Sequence, residues 1–120
     1  MMKIIELDDD RVIAVRIDGR ISDDEMTTLW DEIDLRLARH DTLRVFVEVE
    51  KMGMIGPEAL LEDMRRGLRH FKRFERKAVV SDAAWMAKLA KIFDPVFPTI
   101  QLRTFPTAER DTAIAWVSAD

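Results

Sequence analysis

The chain has 120 residues, 48% of them apolar and 35% charged, which fits one globular domain spanning 1–120 and leaves no room for a second core. Cysteine is absent, and this excludes disulfide frameworks, thiolate zinc sites and cysteine nucleophiles together while suiting a reducing cytoplasm. The formal net charge of -4 argues against bulk nucleic-acid binding. Met1 to Asp10 hold no charged-then-apolar leader, and no apolar run approaches the ~20 residues of a spanning helix, so the expectation is a cytoplasmic protein.

Lys3 to Leu7 and Val12 to Asp18 read as two strands joined by Asp8-Asp9-Asp10, a linker with turn chemistry, so they form a hairpin. Gly19 ends the second strand. Ser22 followed three residues later by Glu25 matches a capping box, and Asp23 and Asp24 suit the positive end of a helix dipole. The helix they open runs to about Arg39, with Met26, Leu29, Trp30, Ile33 and Leu37 on one face. Leu43 to Glu50 alternates, with Leu43, Val45, Val47 and Val49 on one side and Arg44, Phe46, Glu48 and Glu50 on the other.

A two-glycine loop from Lys51 to Gly56 follows, and Pro57 suits the first turn of a helix reaching Phe71. Lys77 to Ser81 reads as a short strand, and Ser81 or Asp82 caps a helix to about Phe93, which Asp94-Pro95 stops. Thr99 to Phe105 alternates as the last strand. Pro106-Thr107 opens a final helix carrying Ala113, Trp116 and Val117. The order is β-β-α-β-α-β-α-β-α, an α/β class with a mixed five-stranded sheet, because strands joined through helices are normally parallel. Arg16, Asp18, Glu48, Glu50, Gln101 and Arg103 interrupt the apolar positions, so the helices are expected mainly on one face, with the other partly wet.

This order, with Val-Glu-Val-Glu leading into a loop and a helix, resembles the STAS fold of bacterial anti-anti-sigma factors, and most closely its SpoIIAA-like branch of stand-alone proteins. Asp18-Gly19-Arg20-Ile21-Ser22, Val79-Val80-Ser81-Asp82 with Trp85, and Phe105 with Ala113-Ile114-Ala115-Trp116 carry the resemblance. Phosphoswitch members bear a serine or threonine at the start of the helix after the central strand, whereas Met52-Gly53-Met54-Ile55-Gly56-Pro57 here offers no hydroxyl. The resemblance therefore implies no phosphorylation switch at that position. It implies instead the lipophilic-ligand and membrane-association roles attached to this branch and to the similarly folded CRAL-TRIO lipid-transfer domains, by analogy of fold.

The first candidate site follows from position. Met52, Met54 and Ile55 leave the central strand at its carboxyl end, where open α/β sheets bind ligands. Gly19 and Ile21 leave the preceding strand there, and Asp82, Trp85 and Met86 begin the helix after the next one. Methionines suit a surface that accepts more than one shape, although Met and Trp also simply fill cores. The second candidate is cationic. Arg65, Arg66, Arg69, Lys72, Arg73, Arg76 and Lys77 stand within thirteen positions and suit an anionic lipid surface, or else a solvated helix end.

Glu48 and Glu50 share one side of a strand, but catalysis would need them desolvated beside another acid or base, and Arg16 or Arg103 opposite them is the plainer account. His40 and His70 have no second ligand at metal spacing, so no metal or other cofactor is expected. The reading is a non-catalytic module for a lipophilic or amphipathic small molecule or an anionic lipid, peripheral at a membrane. The alternative is a protein-interaction or regulatory module with a protein partner or a second copy of itself.

Overall fold

The computed structural model of the chain describes residues 1–19, 21–51, 73–81 and 101–119, without the side chains of Lys51 and Leu102. Five strands, β1 (Met2–Ile5), β2 (Val12–Asp18), β3 (Leu43–Lys51), β4 (Phe74–Val80) and β5 (Gln101–Phe105), lie side by side in chain order. β1 runs antiparallel to β2, and every other pair is parallel. The described helices are α1 (Asp23–Leu37) and α2 (Arg110–Ser118), the latter entered through a 3-10 turn at Thr107–Glu109. The mixed five-stranded sheet is the one expected. The helices expected over 57–71 and 82–93 lie outside the described residues.

Local chemistry accounts for the boundaries. In the hairpin, the Asp9 carboxylate accepts from the Arg11 amide at 2.9 Å and from its guanidinium at 2.8 Å, closing the turn before β2. At the far end of β2, Gly19 adopts φ +75°, a left-handed conformation that a side chain would strain. The capping box is present at α1: the Glu25 amide donates to Ser22 Oγ at 3.2 Å and the Ser22 amide donates to Glu25 Oε1 at 2.9 Å.

β4 begins at Phe74, three residues before the expected Lys77. Leu43 pairs with Phe74 but Arg44 with Arg76, so Glu75 is the extra residue of a bulge and the alternation expected of a strand fails there.

The sheet has two covered faces. On one, Met2, Ile13, Val15, Ile17, Leu43 and Phe74 are buried, and Ile33 and Leu37 of α1 close over them. On the other, Val12, Ala14, Phe46, Ala78, Val80 and Phe105 are buried with Ala113 and Val117 of α2. Of the described helices, α1 covers one face and α2 the other. Right-handed crossovers between successive parallel strands in this order keep their connections on the α1 side, in keeping with helices mainly on one face. Of the residues that suggested a wet face, Arg16, Asp18, Glu48 and Glu50 occupy its carboxyl half in β2 and β3, while Gln101 and Arg103 stand opposite Arg76 and Ala78 in edge strand β5. The amino half of that face offers Val12, Ala14 and Phe46, and a side chain such as Val12 or Phe46 favours a covering element by about 1.5–3 kcal/mol when fully buried.

Candidate functional site at the carboxyl end of the sheet

Four arginines gather at the amino end of the parallel strands, and all four donate to backbone carbonyls. Buried Arg36 donates to Val12 O at 2.6 Å and to Asp10 O at 3.3 Å. Arg73 reaches the carbonyls of Leu37, His40 and Asp41 at 2.7, 3.0 and 2.9 Å, which caps the end of α1. Arg44 donates to Val117 O at 3.0 Å and also to Ala119 O, and Arg76 donates to Trp116 O at 2.9 Å and Ala119 O at 2.8 Å. Helix C-termini leave carbonyls unpaired and carry negative partial charge, so these cations satisfy both needs. Arg44 also meets Glu75, whose carboxyl is held below its ordinary value first by the Thr42 hydroxyl and then by Arg44.

The carboxyl end is built differently. The chain's first residues strap the exit of β2: the Met1 ammonium donates to Asp18 O, the Asp18 amide donates to Met1 O at 2.7 Å, and the Met2 amide donates to Glu25. That last bond is the main cause holding the Glu25 carboxyl below its ordinary range. Ile21 is half-buried against the cluster of Met2, Val15 and Ile17.

On the α2 face just inside this end, Glu48 is a carboxylate with a side chain only 10% exposed. It accepts from Arg16 Nε and Nη2 at 3.3 and 3.2 Å, and from Arg110 Nε at 3.2 Å to each oxygen. Arg16 also lies 3.6 Å from Glu50, and the Arg110 guanidinium rests over the Phe46 ring at 5.7 Å. Burying a carboxylate is costly unless it is paired and hydrogen-bonded, and these guanidiniums supply the pairing.

Two further features lie beside this cluster. Arg103 packs over the Phe105 and Trp116 rings at 5.0 and 5.3 Å, with Arg76 over Trp116 at 5.5 Å, so the outer edge of α2 and β5 is an alternating strip of arginine and aromatic rings. On the α1 face, Lys77 pairs with Val45 in the sheet and is buried, which pushes its amine down to about 7. Among the described residues no three His, Asp or Glu gather as metal ligands.

The family model described as SpoIIAA-like matches residues 12–118. The chain belongs to the SpoIIAA-like family. A crystal structure of an uncharacterised protein of the DUF3478 family from Shewanella loihica PV-4, described as having a SpoIIAA-like fold, superposes with a TM-score of 0.67 at 17% identity, covering 98% of this chain and 92% of that one. At that identity the likeness concerns the fold. A search of curated proteins finds no match.

In this SpoIIAA-like chain, two residues of the expected ligand site, Gly19 and Ile21, stand together at the exit of β2. Met52, Met54, Ile55, Asp82, Trp85 and Met86 lie outside the described residues, as do Arg65, Arg66, Arg69 and Lys72 of the cationic stretch. The rest of that stretch is structural: Arg73 and Arg76 cap α1 and α2, and Lys77 is buried, because the strand starts at Phe74 and draws them into the sheet. Arg16 opposes Glu48 as expected, whereas Arg103 stacks on aromatic rings instead. Arg110 escaped the sequence reading. Its role depends on which face α2 covers, and no local spacing encodes that.

Proposed function

We propose that the chain is a non-catalytic binding module that accommodates a lipophilic or amphipathic small molecule at the carboxyl end of its parallel strands. The observation that carries this reading is the contrast between the two ends. At the amino end arginines are engaged with backbone carbonyls, while the carboxyl end keeps Gly19 in a turn, Ile21 half-buried, and the apolar sequence Met52, Met54 and Ile55 directly after β3. Ligands of open α/β sheets bind outside the carboxyl ends of the strands. The buried carboxylate Glu48 is held by two guanidiniums that occupy both of its oxygens, a pairing that does not suit it to proton transfer. That supports a role without chemistry.

Peripheral membrane association in the cytoplasm belongs to the same proposal, with Arg65, Arg66, Arg69 and Lys72 meeting anionic headgroups. No helix among the described residues is long and apolar enough to cross a membrane.

The test is a fluorescent fatty-acid probe titrated against the wild type and the Met54→Ser/Ile55→Ser variant. Saturable binding weakened in the variant supports the site, and equal binding in both removes it.

A second reading has its own observation. The strip of Arg103, Phe105, Trp116 and Arg76 combines the residue types that dominate protein interfaces, which favours a protein partner or a second copy of this chain. Native mass spectrometry separates the two readings, since a co-purified small molecule supports the first and an oligomer the second.

A further inference from the structure

We propose that Lys3, Arg16 and Arg110 form a phosphate-binding site on the α2 face, with Glu48 as the residue that positions its two arginines. Register places the group on one surface, because Lys3 pairs with Arg16 and Arg16 with Glu48, so their side chains leave the sheet on the same side. Arg110 comes down from the first turn of α2 onto the same carboxylate.

The hydrogen bonds leave donors over. Arg16 gives Nε and Nη2 to Glu48, and Arg110 gives only Nε. A guanidinium has five N–H donors. The remaining ones, on Nη1 and the second N–H of Nη2 of Arg16 and on both Nη atoms of Arg110, have no hydrogen bond to the described residues. The side chains of Arg16 and Arg110 are 43% and 32% exposed, which leaves both guanidinium-bearing side chains partly open to solvent. Glu48 fixes one edge of each guanidinium and the Phe46 ring supports the plane of Arg110, which orders the other edges before any ligand arrives. Such pre-ordering lowers the entropy that binding must overcome.

Charge and shape then select the ligand. Glu48 balances one guanidinium, exposed Glu50 lies 3.6 Å from Arg16, and exposed Lys3 adds a third cation on the rim. Glu109 and Asp111 flank Arg110 but are exposed and solvated. Two guanidiniums and an ammonium on one surface suit the three acceptor oxygens of a phosphate better than the two of a carboxylate, and guanidinium forks bind phosphate oxygens in pairs. The site stands independently of the apolar-ligand reading, because inorganic phosphate has no apolar part.

The experiment titrates inorganic phosphate at fixed ionic strength into isotope-labelled protein, following amide resonances. Vesicles with and without phosphatidic acid form a second arm. Wild-type protein is expected to show saturable shifts at Arg16, Glu48 and Arg110. Arg16→Gln and Arg110→Gln are expected to weaken binding about tenfold, the loss of charge-assisted hydrogen bonds. Lys3→Gln, at an exposed position where folding is not at stake, weakens it about threefold as a rim charge, and Arg39→Gln, beside Asp10 at the other end of the sheet, leaves it unchanged. Phosphate binding with no response to the vesicles supports the site for a free phosphate compound. Vesicle binding lost in the same variants supports it for a lipid headgroup. No saturable response in either arm, or folded Lys3→Gln and Arg110→Gln proteins that bind as the wild type does, overturns the proposal.

Discussion

The two ends of the sheet use arginine in opposite ways. At the amino end Arg36, Arg44, Arg73 and Arg76 reach into the fold and satisfy carbonyls, most of them at the C-termini of α1 and α2. At the carboxyl end Arg16 and Arg110 meet a side-chain carboxylate and keep donors that make no hydrogen bond to the described residues. The same residue type thus secures the fold at one end and remains available at the other. In parallel α/β sheets the carboxyl end is where ligands bind. The comparison teaches that a count of arginines says little until the acceptors are known.

The division of labour can be broken by substitution, and the largest effect is expected at the amino end. Arg44 is 6% exposed and donates to the last carbonyls of α2. Arg44→Ala should cost about 3 kcal/mol, since it takes the guanidinium from the buried Val117 carbonyl and from Glu75 and removes charge-assisted bonds, while Ala119 O keeps Arg76. Urea unfolding measures this, and a cost within error of zero would remove the claim that the amino end secures the fold.

A second effect concerns pH and the residue next to Arg76. Lys77 is buried and its amine is lowered from 10.5 to about 7, so between those values the unfolded chain carries a proton that the folded chain lacks. Stability should therefore rise with pH from about 7 to about 10.5 and be independent of this group below that range. The chain has neither cysteine nor tyrosine, so lysines and the amino terminus are the groups that titrate there. Lys77→Met should flatten the alkaline rise measured by urea unfolding at several pH values, and an unchanged slope would show that Lys77 is not the source.

The smallest effect sharpens the contrast. Arg110 is part-exposed and Glu48 retains Arg16 without it, so Arg110→Gln should lower stability by under about 1 kcal/mol, the range of a partly exposed ion pair. A loss as large as that of Arg44→Ala would make Arg110 another structural staple and erase the difference between the ends.

What the sequence disclosed divides along the same physical line. Local patterns were legible: Ser22 and Glu25 announced the capping box, Gly19 the end of β2, and the alternation of Leu43 to Glu50 the central strand. Features that depend on neighbours in space were not. The bulge at Glu75 broke the period of β4, so the alternation marks the strand only from Lys77, past Phe74, Glu75 and Arg76. The side of the sheet that α2 covers follows from apolar positions scattered over four strands, Val12, Phe46, Ala78 and Phe105, and no single segment reveals it. For the candidate site, position in the sheet pointed to Gly19 and Ile21, and places in the strands set Arg16 opposite Glu48. Arg110 could not be found before its helix was placed.

The account turns on the carboxyl end as the ligand end, and a map of amide resonances tests it most directly. Dodecanoate titrated into labelled protein is predicted to shift Gly19, Ile21, residues 52–55 and residues 82–86, while Arg44, Arg76 and Ala119 at the amino end stay still. Shifts centred on the amino end, or a spectrum that does not change, would contradict it.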